Sequence, residues 1–277
     1  MKVKLYRQHG ALGSKEVYDA VEQGLRYLGH EIVEENEDLP VIWSVLWHGR
    51  MQPNQHIHYI SRKNNKPVMI IEVGSLKRGT TWRISLNNIT RDGIFPQILD
   101  FDKNRDKKLG VFLKDFREKR KDTILLLGQH DKSLQWNGLP PIKNWIEEKI
   151  QEIRKFSDRK IVVRPHPRCF IPQLNIKNVE IENVRPLPNT YSEFDITFDH
   201  HCVINYNSNT TVQAAIAGAP IICDQTGMAF PVSNRLDTIE DIKNIDRAEW
   251  FEKIVHTEWT LDELTQGDPI KNLISLA

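Results

Sequence analysis

Cysteine is scarce in this sequence: 277 residues include three, Cys169, Cys202 and Cys223. An odd number, without the spacing of a disulfide framework or zinc ribbon, excludes a cystine-stapled scaffold and fits a reducing compartment. Also lacking is any run of about 20 apolar residues of the kind a membrane span needs. Met1 leads directly into the strand-like Lys2-Val3-Lys4-Leu5-Tyr6, so no charged-then-apolar leader is read there. There is no low-complexity tract and no solenoid-period repeat. The expectation is a soluble, cytoplasmic protein without a membrane partner, and at this length two domains.

The net charge of +1 hides an asymmetry. Residues 1–122 carry 22 Lys+Arg against 16 Asp+Glu (+6), and residues 123–277 carry 16 against 21 (−5). Between Arg50 and Lys121 the excess is 17 against 7, or +10. Such a stretch reads either as a solvated face or as the footprint of a polyanion, because phosphate neutralisation dominates that kind of binding.

Strand-like and helical patterns alternate throughout, which predicts an α/β protein with mostly parallel sheets. Strands are expected over residues 2–8, 31–33, 41–47, 67–72, 82–86, 123–129, 160–163, 202–205 and 220–223. Ser14 is expected to cap a helix running from about Lys15 to Leu28. Further helices are expected over 142–156, with Trp145, Ile146, Ile150 and Ile153 on one face, and over 210–218. The charged stretch 102–122 reads as a linker toward its end, and Trp250, Phe251 and Trp259 lie in a partly helical C-terminal segment.

Two loops stand out chemically. At Asn205-Tyr206-Asn207-Ser208-Asn209-Thr210-Thr211 a strand gives way to a helix whose start offers N–H groups and hydroxyls to an anion, although an ordinary capped helix explains the same residues. Arg164-Pro165-His166-Pro167-Arg168 follows another strand, at the carboxyl edge where open α/β sheets bind ligands. Its prolines stiffen the loop, and its histidine and arginines suit a phosphate or leaving group.

Together these loops resemble the capsular-polysaccharide glycosyltransferases, the family that includes bacterial Kdo transferases. Leu125-Leu126-Leu127-Gly128-Gln129 is similar to that family's strand-and-glutamine opening of the donor domain. Ile71-Glu72-Val73-Gly74-Ser75-Leu76-Lys77-Arg78, with Ser85-Leu86 and Asp92-Gly93-Ile94, is similar to its acidic-glycine segment. The resemblance spans about residues 67–235. It implies a GT-B-like architecture of two Rossmann-like domains facing across a cleft: 1–121 for the acceptor, 122–246 for the sugar nucleotide, and a C-terminal helical segment, 247–277, packing back on the N-terminal domain. It also implies no cofactor and no metal, with a UDP- or CMP-sugar as co-substrate.

On this reading His9, Gly10, Gln129, Arg164, His166, Arg168, Ser208, Asn209, Thr210 and Thr211 hold the donor. His48, Arg50, Lys77, Arg78, Trp82 and Arg83 meet the acceptor. The chain departs from the family at Asn87-Asn88, where family members carry an acidic catalytic residue. The base is therefore left open between Glu72 and Asp92, each of which also reads as a helix cap or ion-pair partner, with His9 and His48 as weaker alternatives and His166 on the leaving group. Phe198-Asp199-His200-His201-Cys202 does not read as a metal site, because consecutive residues on a strand point to opposite faces.

The N-terminal half, especially Val41 to Met51, also resembles proteins of tailed bacteriophages, some of which glycosylate hydroxymethylated pyrimidines in their DNA. With the basic excess, this makes double-stranded phage DNA, met in the host cytoplasm, the expected acceptor, ahead of a capsule or surface polysaccharide. A related phosphotransferase or epimerase, and a non-catalytic nucleotide- or DNA-binding module, are the alternatives of other classes.

Overall fold

A computed structural model describes residues 1–98, 102–189 and 191–277. Strand β1 (Lys2–Leu5) buries Val3 and Leu5 and turns its lysines outward, the period-two pattern of a strand packed on one face. Helix α1 (Lys15–Tyr27) buries Val17, Tyr18, Ala20, Val21, Gly24 and Leu25 along one stripe. Next come β2 (Glu31–Ile32), the wholly buried β3 (Leu39–Trp43), α2 (Asn54–Lys63), β4 (Met69–Val73), β5 (Trp82–Leu86) and the short α3 (Arg105–Leu109). The second half runs β6 (Lys121–Leu127), α4 (Ile142–Ile153), β7 (Lys160–Arg164), β8 (Val179–Ile181), β9 (His200–Ile204), α5 (Thr210–Ile216) and β10 (Ile221–Ile222). The chain closes with α6 (Ala248–Val255), β11 (Glu258–Trp259), α7 (Leu261–Gln266) and α8 (Asp268–Ser275).

The strands form two sheets, ordered β11-β5-β4-β3-β1-β2 and β10-β9-β6-β7-β8. Every pairing in the second sheet is parallel. In the first, β1 to β4 are parallel, while β5 runs antiparallel to β4 and β11 antiparallel to β5. Each sheet has its own core: Trp43, Met69, Ile71 and Ile84 in the first, and Leu125, Leu126, Ile161, Val203 and their neighbours in the second. The C-terminal segment serves both. Trp250, Phe251, Ile254 and Val255 of α6 pack on the second core, whereas Trp259, Leu264, Ile270 and Leu273 pack on the first.

The mixed α/β reading with parallel sheets holds, and several local expectations need correction. β3 stops at Trp43 rather than Trp47, because Ser44 takes a left-handed conformation (φ 59°) that turns the chain out of the sheet. Ser14 occupies the N-cap position of α1 but makes no side-chain cap bond. Its hydroxyl instead abuts Gly10, where an added Cβ would lie 2.3 Å from Ser14 Oγ. Helix α2 carries few apolar residues, and strands β8 and β11 are three and two residues long, too short to show a period, so these elements went unexpected.

Candidate active site

In both sheets the strand order reverses beside the first strand, so each has a crevice at its carboxyl end where ligands of open α/β sheets bind. Residues from beyond the ends of both sheets line one cavity. Backbone bonds from Trp47 N–H to Lys132 O (2.7 Å) and from Leu134 N–H to Val45 O (2.9 Å) stitch the halves together alongside.

The first wall is built around Glu72 on β4. The left-handed Ser44 aims its hydroxyl at Glu72 Oε2 (2.6 Å), and the Val73 N–H donates to Oε1 (2.9 Å). A serine held at positive φ is strained backbone kept where it orients a functional group. Burial pushes the Glu72 carboxyl above its ordinary value, against the pull of the Ser44 and Val73 hydrogen bonds and of the Arg83 and Arg78 charges.

The second wall is the loop after β7. His166 Nδ1 accepts the Arg168 backbone N–H at 3.1 Å, which assigns the proton of the neutral ring to Nε2. Burial first, then the neighbouring His130, Arg168 and Arg78, lowers its pKa to about 3. His166 is therefore a neutral N–H donor at physiological pH. Arg168 beside it is exposed. Arg78 reaches over from the first half, donating Nε–H to Ser192 O (2.9 Å) and stacking on Phe194 at 4.4 Å. Glu72, Ser44, Arg78, His166, Arg168 and Phe194 all line one cavity of about 150 Å³. A carboxylate of raised pKa thus faces a neutral imidazole donor and two guanidinium groups, the elements of proton abstraction opposite a departing anion.

Other expected residues lie elsewhere. Gln129 is buried, its amide bonded both ways to Asn207: Nε2 to Oδ1 at 3.0 Å, and Oε1 from the backbone N–H at 3.2 Å. Arg164 is engaged by Glu182 (2.7 Å) and the Asp195 carbonyl, so its guanidinium braces the second sheet rather than facing the cleft. Most donors of the Ser208–Thr211 turn are bonded locally. Asn205 Oδ1 takes the Ser208 N–H, Ser208 Oγ takes that of Thr210, and the Ser208 carbonyl takes both donors of Thr211. Asn209 Oδ1 accepts from Arg83 Nη1 at 2.6 Å. Gly10 is close packing against Ser14 and Tyr18, and His9 stacks on Tyr6.

Among the acceptor candidates, Trp82 and Arg83 are interior. Trp82 is a core residue at 5% exposure. Arg83 is fully buried and ion-paired to Glu258 at 3.0 Å. Arg50 and Lys77 are exposed but line neither the cavity nor the groove beside it. His48 does line that groove, about 670 Å³ between the halves, with Trp47, Gln52, Asp131, Lys132 and Asn137. Asp92 is exposed outside the cavity, its charge felt by Tyr206. Asn87 and Asn88 are turn residues. Asn87 sits at φ 69° with its side chain capping Val68 N–H, and Asn88 Oδ1 takes the Ile89 N–H.

Sequence reading missed two residues of this region. Ser44 gave no signal, because a positive φ is not encoded in residue type here. His130 was recoverable in principle, since it follows Gln129 at the end of β6 as His166 follows β7. His130, Asp131 and Cys169 bring possible ligand atoms within 4.8 Å of one another. They fit a metal poorly. His130 Nδ1 already accepts the Lys132 N–H (3.1 Å), and burial pushes the Cys169 thiol up, away from the thiolate that binds metal.

With the geometry in place, the resemblance to solved structures is informative. The chain superposes on the β-Kdo 2,4 transferase KpsC of Thermosulfurimonas dismutans with a TM-score of 0.52 and 13% identity, covering 93% of this chain and 90% of that one. It superposes on the β-Kdo 2,7 transferase of the same name and organism with a TM-score of 0.52 and 15% identity, covering 98% and 99%. The likeness is one of fold. No protein-family model matches the chain, and no curated protein does. The likeness extends over nearly the full length of both chains.

Proposed function

We propose that the protein is a nucleotide-sugar-dependent glycosyltransferase of GT-B-like arrangement, acting without a metal, with residues 1–121 contributing the acceptor side and 122–246 the donor side. The observation that carries this reading is the meeting of Glu72, from the first sheet, with His166 and Arg168, from the second, in one cavity. Glu72 takes the proton of an acceptor hydroxyl as its oxygen attacks the anomeric carbon. The bond from that carbon to the donor phosphate breaks, and the charge on the leaving oxygen is met by His166 Nε2–H and by Arg168. Kdo-transferase relatives in fold support the same chemistry.

The test is product analysis with radiolabelled UDP- and CMP-sugars, on wild type and Glu72→Gln. Turnover lost in the variant with donor binding retained supports the assignment; equal turnover in both overturns it.

For the acceptor, the exposed cations Arg50, Arg62 and Lys63 support a polyanion such as duplex DNA bearing hydroxymethylated pyrimidines. Folding removes part of the original clue, since Arg83, Arg105, Lys108 and Lys121 pair with Glu258, Glu263 and Asp199. The aromatic and amide lining of the groove supports a surface polysaccharide instead. Salt-sensitive binding to duplex DNA, with sugar transfer to hydroxymethylpyrimidine DNA, decides for the first; its absence decides against it.

A further inference from the structure

Two adjacent parallel strands end in the same local device. β6 leads through Gly128 and Gln129 to His130, whose Nδ1 accepts the backbone N–H of Lys132 at 3.1 Å. β7 leads through Pro165 to His166, whose Nδ1 accepts the backbone N–H of Arg168 at 3.1 Å. In each loop a cation stands two places after the imidazole: His130-Asp131-Lys132 and His166-Pro167-Arg168. The ring centroids are 5.5 Å apart with the planes at 69°. Since each Nδ1 is an acceptor, each neutral ring carries its proton on Nε2.

His166 faces the cavity already described, whereas His130 has no assigned part. Its ring stands between His48, which lines the groove (centroids 5.2 Å apart), and His166, which lines the cleft. The residue is 9% exposed, and its Nε2 is buried with no hydrogen-bond partner among the described residues. A buried N–H without an acceptor is destabilising and calls for an explanation, and a bound acceptor supplies one. Asp131, the nearby carboxylate, accepts from the Cys169 thiol at 3.6 Å.

We propose that the His130 and His166 loops grip a diphosphate together, each giving one imidazole Nε2–H and one cation, so that the donor is a nucleoside diphosphate sugar rather than a nucleoside monophosphate sugar. This rests on reading the cleft as the donor-phosphate site. Two like loops side by side match two phosphoryl groups, whereas one loop with its single N–H and cation suffices for a lone phosphate. Burial, followed by the charges of His48 and other neighbours, lowers the His130 pKa to about 4, so the ring stays a neutral donor near pH 7.

Calorimetric titration of inorganic pyrophosphate and of orthophosphate into wild type, His130→Phe and His166→Phe tests this. Wild type is expected to bind pyrophosphate at least about tenfold more tightly than orthophosphate. His130→Phe keeps the ring volume and should erase that preference, and His166→Phe should weaken binding of both anions. Pyrophosphate binding unchanged in His130→Phe, or wild type binding both anions equally, overturns the diphosphate grip and leaves the phosphate site standing. Wild type binding neither anion removes the donor-site reading and the grip with it. Should His130→Phe not fold, the wild-type imidazole 15N spectrum decides. Pyrophosphate must shift the His130 Nε2 resonance, and an unmoved resonance overturns the proposal.

Discussion

Glu72 and Glu258 flank the same arginine. In the first sheet Glu72 of β4 pairs in register with Arg83 of β5, and Arg83 pairs with Glu258 of β11, a row of carboxylate, guanidinium and carboxylate across three strands. Glu258 is saturated. It accepts from Ser75 N and Oγ (both 2.7 Å), Leu76 N (2.9 Å), Thr81 Oγ1 (2.9 Å) and Arg83 Nη2 (3.0 Å). Glu72 has Ser44 and Val73 for donors and a cavity in front of it. A buried carboxylate with every lone pair occupied holds the fold together. One whose charge is incompletely met, with room for a ligand, is poised to take a proton.

The strongest challenge to that contrast is to remove each carboxylate in turn. Glu72→Gln is expected to lower kcat by about a thousandfold, the usual scale for a lost general base. Its melting temperature should stay equal or rise, because an incompletely met buried charge disappears. Glu258→Ala should do the reverse, destabilising the fold by about 3–5 kcal/mol because Arg83 is left as an unpaired buried charge. Whatever folds should remain catalytically competent at low temperature. Thermal denaturation and steady-state kinetics on both variants check this. If Glu258→Ala were stable but inactive, the roles would have to be exchanged.

Ser44 sharpens the comparison at smaller scale, since among the described residues it alone gives Glu72 a side-chain hydrogen-bond donor. Ser44→Ala and Ser44→Gly both lose that hydrogen bond and should lose about tenfold in kcat, the usual magnitude for a bond to a charged group. They should differ in stability. The left-handed backbone suits glycine and not alanine, so Ser44→Gly should be about 1 kcal/mol more stable than Ser44→Ala by chemical denaturation.

The row that defines this contrast was half legible in the sequence. Glu72 and Arg83 sit on segments whose apolar residues read as strands, and His166 is flanked by prolines at a strand end, so all three were in view. What single-chain patterning cannot carry is which partner arrives from far away. Glu258 lies 175 residues from Arg83 and was invisible as its counter-ion, so Arg83 looked like a free cation for an acceptor. Arg105, counted within the basic stretch, is likewise paired to Glu263 across 158 residues. The charge split was real in the sequence and was partly cancelled by folding. The Ser208 turn shows the converse. Its residue types suit an anion, yet they equally satisfy one another, and only coordinates distinguish donors that are free from donors already bonded.

The smallest and most diagnostic effect concerns pH. A carboxylate whose folded pKa is raised contributes stability below its unfolded pKa and loses it as pH rises through the folded value, so ionised Glu72 is a burden at neutral pH that Glu72→Gln lifts. The same shift places the acid limb of kcat/KM above the ordinary carboxylate range, and that limb should vanish from the residual activity of Glu72→Gln. The histidines act oppositely. His166 and His130, lowered by burial to about 3 and about 4, favour the fold while neutral, and their contribution is lost as pH falls from about 6.5 toward those values. The rate profile should accordingly show no limb near 6.5. If a limb appeared there and disappeared in His166→Phe, His166 would be acting as an imidazolium acid. The Nδ1 bond to Arg168 would then have to break in the working enzyme, and the cleft would have two charge-changing walls instead of one.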